Sequence, residues 1–478
     1  MADDNVYSNP LITRYASRAM AELWSARRRA ILWRSLWVAL ADAERKLGLN
    51  ITLEQVAELK SRVEQVDLAR VAEHERRLRH DVMAHVHTFG ELAPKARPII
   101  HLGATSAYVT DNADLILLRD AIGMVRDRLV GAIDALAEFA LPWKDLPCLG
   151  YTHFQPAQLV TVGKRASLWC HELLLDLSEI ERRLTELKFL GAKGTTGTQA
   201  SFLALFRGDH GKVQALDRMV AEAFGFDQTY PVAGQTYSRK IDSQVLSALA
   251  GIAESAHRFG TDLRLLAHEQ ELEEPFEPEQ IGSSAMAYKR NPMRAERLCS
   301  LARVLLGLPA VARQTAATQW LERTLDDSAA RRIVLPEAFL AADAILGLYL
   351  NIVPGLVVNP EVIARKVEHE LPFMATENLM MAAVELGADR QEVHERVRRH
   401  SLEVAAQMKR EGPDRSGALI ERLKAEPAFA RVQFDALLDP KRYIGRSPEQ
   451  VASFVAEQVE PLRRRYPGLL AQRRELHV

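Results

Sequence analysis

Cysteine is scarce in this chain: three in 478 residues, Cys148, Cys170 and Cys299, with no Cys-x-x-Cys pair. That pattern excludes a disulfide framework and a zinc ribbon, and it suits a reducing compartment. Net charge is nearly absent too, since 62 Lys and Arg stand against 63 Asp and Glu and leave −1. No general field draws nucleic acid or an acidic membrane, so anion binding must be local. The opening, Met1 to Pro10, is acidic and polar, and the most apolar early run is interrupted by Arg34. Neither a secretory signal nor a membrane span is expected. Strand-dominated regions, internal repeats, a His-Glu-x-x-His pair and a Gly-x-Ser-x-Gly elbow are also missing. Gly191 to Thr198 is rich in Gly and Thr but lacks P-loop spacing and a preceding strand, so it reads as a plain loop.

The chain does have helical patterning. Hydrophobic residues at 47% and charged residues at 26% are an ordinary globular balance, and 478 residues exceed what one common core organises. A long helix is expected from Ala21 to a stop at Gly48, then a short helix with Thr52 and Gln55 in capping-box spacing. A further helix is expected over Asp67 to Leu92, carrying Arg79, His80, Asp81, His85 and His87. Two apolar stripes are sustained. Trp169, Leu173, Leu177, Ile180, Leu184 and Leu187 form one; Val245, Leu249, Ile252, Ala256, Phe259, Leu263 and Leu266 form a heptad-like second, on a helix expected from about Arg239 to Glu271. Such stripes need a bundle, and the length of the second suggests bundling between subunits as well. Breaks near Pro94 to Pro98 and Pro354 to Pro360 divide the chain into expected domains at 1–105, 106–358 and 359–478. The fold class is all-α.

Three polar breaks interrupt the helices. They are His101 to Ser106, Tyr151 to Gln158 and Gly282 to Pro292, the last holding Ser283, Ser284, Lys289, Arg290 and Asn291. A serine is a poor base unless positive charge or oriented amides surround it. Lys289, Arg290 and the amides at the start of the next helix are the expected supply. His153 lies in its loop with no helical periodicity to make it a core residue, and histidine is the usual proton donor near neutral pH. His85 and His87 are read as structural, and no metal site is expected. His80 is expected to point into a cleft from the same helix face as His87.

In order and spacing these three loops resemble the signature regions of the fumarase/aspartase superfamily. The third matches Gly-Ser-Ser-x-Met-Pro-x-Lys-x-Asn-Pro everywhere except Ala287, where proline is customary. Within the superfamily the chain resembles the adenylosuccinate lyase family, closest to its animal-type members. The phrases that carry this are Arg79-His80-Asp81-Val82-Met83-Ala84-His85-Val86-His87, Thr152-His153-Phe154-Gln155-Pro156-Ala157-Gln158 and Tyr288-Lys289-Arg290-Asn291-Pro292-Met293-Arg294.

The resemblance implies a fumarate-releasing β-elimination, with AMP formed from adenylosuccinate and AICAR from SAICAR, in the cytoplasm and without a cofactor. It implies Ser283 as base, His153 as acid, and Lys289 and Asn291 on the succinyl carboxylates and the developing charge, with His80 joining the catalytic group. Substrate would further meet Arg14, Tyr15, Arg79, His80, Asp81, Thr105, Ser106, Gln235, Arg297, Arg323, Ser328 and Arg332. A three-domain homotetramer with sites drawn from three subunits is implied too. Another superfamily lyase, such as argininosuccinate lyase, and a non-catalytic structural protein on the same scaffold are the alternatives.

Overall fold

The computed structural model describes residues 5–411 and 417–474; the first four residues of the polar opening lie outside them. The N-terminal part holds α1 (Arg18–Leu23), α2 (Ala26–Lys46), α3 (Leu53–Arg62), α4 (Leu68–Leu78) and α5 (Asp81–Leu92). Ser25 and Thr52 cap α2 and α3, and the expected Thr52–Gln55 capping box is fully formed. The single helix expected over Asp67 to Leu92 is two helices. Arg79 takes a left-handed backbone (φ 56) and His80 an extended one, so α4 ends and α5 begins between them. Nothing in the local pattern announces that break, because arginine seldom adopts this conformation.

Behind this part stands a bundle of long helices: α6 (Ser106–Ala140), α7 (Val162–Glu186), α10 (Lys240–His268), α11 (Met293–Ala317) and α12 (Asp327–Ile352). The shorter α8 (Ala200–Leu205) and α9 (His210–Glu222) lie between α7 and α10 in the chain. A hairpin of β1 (Pro147–Thr152) and β2 (Gln155–Thr161) follows α6. A second small ladder pairs β3 (Leu272–Glu273) with β4 (Val357–Val358). Helix α13 (Pro360–Met374) leads into α14 (Thr376–Glu385), α15 (Arg390–Glu411) and α16 (Gly417–Lys424), which share a separate apolar cluster around Leu379, Val393, Val404 and Leu419.

All seven residues of the heptad-like stripe on α10 are buried, as are Trp169, Leu173, Leu177 and Ile180 on α7. Helix α10 packs on α7, α11 and α12 of its own chain. The seam is therefore satisfied within one chain, and its length alone does not call for a second. Other residues stay open: Leu168 and Leu175 on α7, Val304 and Val311 on α11, and Ile333 on α12. Helix α11 continues through Pro309. The segment Asp327–Gly355 is long and apolar enough to cross a membrane, but 83% of its most apolar window is buried inside the bundle, so it is a core helix.

One buried carboxyl group has a measurable consequence. Glu44 on α2 is fully buried, and neither carboxylate oxygen has a partner among the described residues. Burial raises its pKa from the ordinary 4.5 to about 8. The folded chain thus holds Glu44 protonated at neutral pH, whereas the unfolded chain ionises it. The associated stability is complete below the ordinary pKa and is lost as pH rises toward about 8. Glu44→Gln is expected to abolish this loss, leaving the variant more stable than the parent at pH 8 by on the order of 2–4 kcal/mol. Urea midpoints at acidic and alkaline pH test this; parallel pH profiles would contradict it.

Candidate active site

The break between α4 and α5 opens a cleft of about 570 Å³ against the starts of α6 and α12. Eight of the expected site residues line it: Arg79, His80, Asp81, Ser106, Gln235, Arg323, Ser328 and Arg332. Thr105 sits beside them as the residue before α6. His80 is not on the face of a helix, as expected from its spacing to His87, but caps α5. Its Nδ1 accepts from the Met83 amide at 3.3 Å, and its Nε2 lies 3.5 Å from the Ser106 hydroxyl. In the neutral ring this acceptor role at Nδ1 places the proton on Nε2, facing the cleft. Arg332 Nη2 reaches Asp81 Oδ2 at 2.5 Å, closing one side.

The cleft floor is a buried ion network that local sequence does not reveal. Arg239 donates to Asp111 at 2.8 Å and to Asp327 at 2.6 Å; Arg331 donates to Asp242 at 2.7 Å and to the Tyr237 hydroxyl at 2.5 Å. Arg323 joins through Asp327 at 2.9 Å. Arg239, Arg331 and Asp327 each meet two or more partners, as buried charges require. The partners lie 88 or more residues apart in most of these bonds, so only the fold brings them together. The network fixes α12 against the first turns of α6 and α10, and it sets the spacing of Arg323, Ser328 and Arg332.

The stretch read as a polar loop at Tyr151 to Gln158 is a β-hairpin. Its two-residue turn is His153-Phe154, both left-handed (φ 54 and 56). Such a turn normally takes Asn or Gly, and a non-glycine pair stores on the order of 1–3 kcal/mol per residue. The strain projects an exposed His153 from the hairpin tip.

The Ser283 loop departs from expectation in its helix-start amides and in Arg290. The Gly282 requirement is one of space: a Cβ there would lie 2.1 Å from the Lys289 carbonyl oxygen. The amides at the start of α11 are not available to an anion in the loop, because Arg294 and Ala295 N–H donate to the Glu274 carboxylate at 3.0 and 2.9 Å. Ser283 Oγ instead accepts from the amides of Ala285 and Met286, at 3.3 and 3.1 Å. Two oriented N–H groups on one hydroxyl favour its anionic form. Arg290 is turned aside, 3.5 Å from Glu273 and over the Phe276 ring. Lys289 is exposed at the loop surface, and Asn291 Nδ2 donates to the Gly282 carbonyl at 2.8 Å, closing the loop on itself. Ala287 is the second residue of the turn closed by Lys289 N–H on Met286 O at 3.0 Å, the position where proline would preset φ.

The remaining residues form another group. Arg14 is exposed on the turn Leu11–Tyr15, and the Arg297 guanidinium lies 5.8 Å from the Tyr15 ring centroid. Neither they nor the Ser283 loop nor His153 line the cleft. Helix α10 explains the separation. Arg239, just before it, meets Asp111 at the cleft, while Glu271, just after it, accepts from Tyr151 at the hairpin. The 29 residues of α10 span about 40 Å.

His85 is half-buried against Trp33 and its pKa falls to about 4 through burial and then Arg34, so it stays neutral. His87 stacks on His74 with ring centroids 5.6 Å apart. Both behave as packing residues. Among the described residues no three His, Cys, Asp or Glu converge as metal ligands. The Gly191–Thr198 loop is held by Asn112, whose Oδ1 accepts from Leu190 and Gly191 amides at 3.0 Å. Lys193 within it is paired with Asp217.

Known proteins resemble this chain in sequence and in fold. A family model described as "Lyase" matches residues 15–307, and one described as "Adenylosuccinate lyase C-terminus" matches 372–454. Adenylosuccinate lyase of Saccharomyces cerevisiae is 57% identical over 96% of both chains, and that of Schizosaccharomyces pombe 53% over 96% of both. The Schistosoma mansoni adenylosuccinate lyase is 49% identical over 97% of both, so all three are eukaryotic. The crystal structure of 3-carboxy-cis,cis-muconate lactonizing enzyme from Pseudomonas putida superposes with a TM-score of 0.82, covering 95% of this chain and all of that one at 24% identity. A fumarate lyase from Mesorhizobium gives 0.79 at 22%, with 95% and 100% covered. These two bear on the fold alone, and they share this all-α architecture. With the relatives matched along nearly their whole length and the signature loop in place, the chain belongs to the adenylosuccinate lyase family of fumarate-releasing C–N lyases.

Proposed function

We propose that this enzyme cleaves adenylosuccinate to AMP and fumarate, and SAICAR to AICAR and fumarate, in the cytoplasm. The observation that best supports the chemistry is the pair of amides on Ser283 Oγ. In this reading Ser283 removes the carbon-bound proton beside a succinyl carboxylate. Lys289 steadies the electron pair that moves into that carboxylate. Asn291 joins it once loop closure turns its amide away from Gly282. The C–N bond then breaks, His153 gives its proton to the departing nitrogen, and fumarate leaves. Arg79, Arg323 and Arg332 suit the grip on phosphate or carboxylate, since a guanidinium makes two parallel bonds, and His80 completes the cleft through its Nε2–H.

The proposal includes a homotetramer with sites shared among three subunits and built on the domains 1–105, 106–358 and 359–478. Two observations favour sharing. The His80 cleft and the His153 hairpin stand at opposite ends of α10, about 40 Å apart, too far for one small substrate. The exposed Leu168, Leu175, Val304, Val311 and Ile333 give the bundle apolar surface for other copies to cover.

The test is direct: purified protein is offered adenylosuccinate, SAICAR and argininosuccinate in turn, and fumarate is followed. Release from the first two and not the third is expected. Release from argininosuccinate alone would overturn the substrate assignment.

A further inference from the structure

Glu271 has no role in the chemistry above, yet it sits where three elements meet behind the hairpin. It is 1% exposed. The Tyr151 hydroxyl of β1 donates to its Oε1 at 3.3 Å. Arg165 Nη1 of α7 lies 3.6 Å from its Oε2, and Lys366 Nζ of α13 lies 3.7 Å from Oε1. Arg165 also donates through Nη2 to the Leu149 carbonyl at 2.6 Å, so the same guanidinium grips the hairpin backbone. The Glu271 carbonyl accepts from Asn359 N–H at 3.0 Å.

The hairpin needs an outside hold. Its ladder is irregular between Leu149 and Tyr151, directly below the tip. The tip itself is the strained His153-Phe154 turn, which would relax if its stem were free. Tyr151, two residues before His153, is the contact that ties this stem to a buried charge. The chain then runs on from Glu271 to Glu273, which pairs with Arg290 of the Ser283 loop at 3.5 Å, and to Glu274, which caps α11 where that loop ends. One short acidic segment thus anchors the roots of both the hairpin and the serine loop.

We infer that Glu271 is a positioning residue that holds the Tyr151 stem and thereby aims His153 at the leaving nitrogen. This rests on the reading of His153 as the acid. The charge on Glu271 matters because it faces Arg165 and Lys366; Lys366 also pairs with Glu269, so a neutral amide at 271 chiefly takes from Arg165 the carboxylate that faces it beside the hairpin stem. Misplacement of an acid by a fraction of an ångström to an ångström lowers the chemical step far more than it lowers binding.

The experiment compares the full-length protein with Glu271→Gln, Tyr151→Phe, His153→Gln and the double variant Glu271→Gln/His153→Gln, measuring kcat and KM for adenylosuccinate. Glu271→Gln is expected to lower kcat about tenfold with KM within about twofold, and Tyr151→Phe to show a smaller loss with the same split. In the His153→Gln background Glu271→Gln is expected to cause no further loss, an outcome that a general weakening of the fold would not produce. Parental kcat in both Glu271→Gln and Tyr151→Phe, beside an impaired His153→Gln, overturns the inference and leaves the acid assignment standing. An equal loss in both backgrounds overturns it too. Parental activity in His153→Gln overturns the acid assignment, and the inference with it.

Discussion

Replacing Ser283 by alanine is expected to reduce kcat by roughly 10²–10⁴, the scale of a lost general base, while the substrate dissociation constant moves by no more than a few-fold. The expectation follows from the hydrogen bonding of the two adjacent serines. Ser283 Oγ receives the Ala285 and Met286 amides, so its alkoxide is stabilised before substrate arrives. Ser284 is exposed, and no such amide pair meets its hydroxyl among the described residues. Ser284→Ala is therefore expected to cost far less. Single-turnover fumarate release, with binding measured separately by calorimetry, distinguishes the two. Equal loss in both variants would show that the amide pair does not select the base.

His153→Gln is expected to have an effect of similar size, roughly 10²–10⁴ in kcat, on the nitrogen-protonation side of the reaction. Glutamine keeps a polar side chain at the hairpin tip but cannot deliver a proton to the departing nitrogen. The leaving group carries the distinction: an analogue whose departing nitrogen is a weaker base, and so needs less help from an acid, should lose far less rate in the variant than adenylosuccinate does. An equal loss with both substrates would assign proton delivery to another group, and His80, with Nε2 facing the cleft, would then be the leading candidate.

Much of the candidate site is legible from residue order alone, because signature loops are local. Gly282 to Pro292 must close tightly, and Gly282 and Asn291 together achieve it in consecutive chain. The helical stripes on α7 and α10 were legible for the same reason: period and burial coincide. What escaped notice depends on distant partners. The division of α4 from α5 rests on the conformation of Arg79 and on what His80 caps, neither of which spacing encodes. The hairpin at His153 breaks turn preferences, so its sequence resembled a loop. The Arg239 and Arg331 network joins residues across three helices. Glu274 took the helix-start amides that the local pattern had assigned to the serine loop. A capping carboxylate 20 residues upstream leaves no trace in the loop itself.

The seam on α10 teaches a related point. Its heptad pattern invited a partner chain, yet Val245 to Leu266 find their neighbours in the same chain. The case for several copies rests instead on the apolar residues left exposed on α7, α11 and α12, and on the distance between the cleft and the hairpin.

That distance makes complementation the most direct measurement. His80→Ala and His153→Gln are prepared separately, mixed under mild dissociating conditions and returned to assay buffer. If a site combines the cleft of one copy with the hairpin of another, mixed assemblies contain some sites with both groups intact. Fumarate release is then expected to rise from near zero in either variant to a substantial fraction of the parent rate. If mixed assemblies form, as native mass measurement would show, and fumarate release stays at the level of the separate variants, shared sites are contradicted.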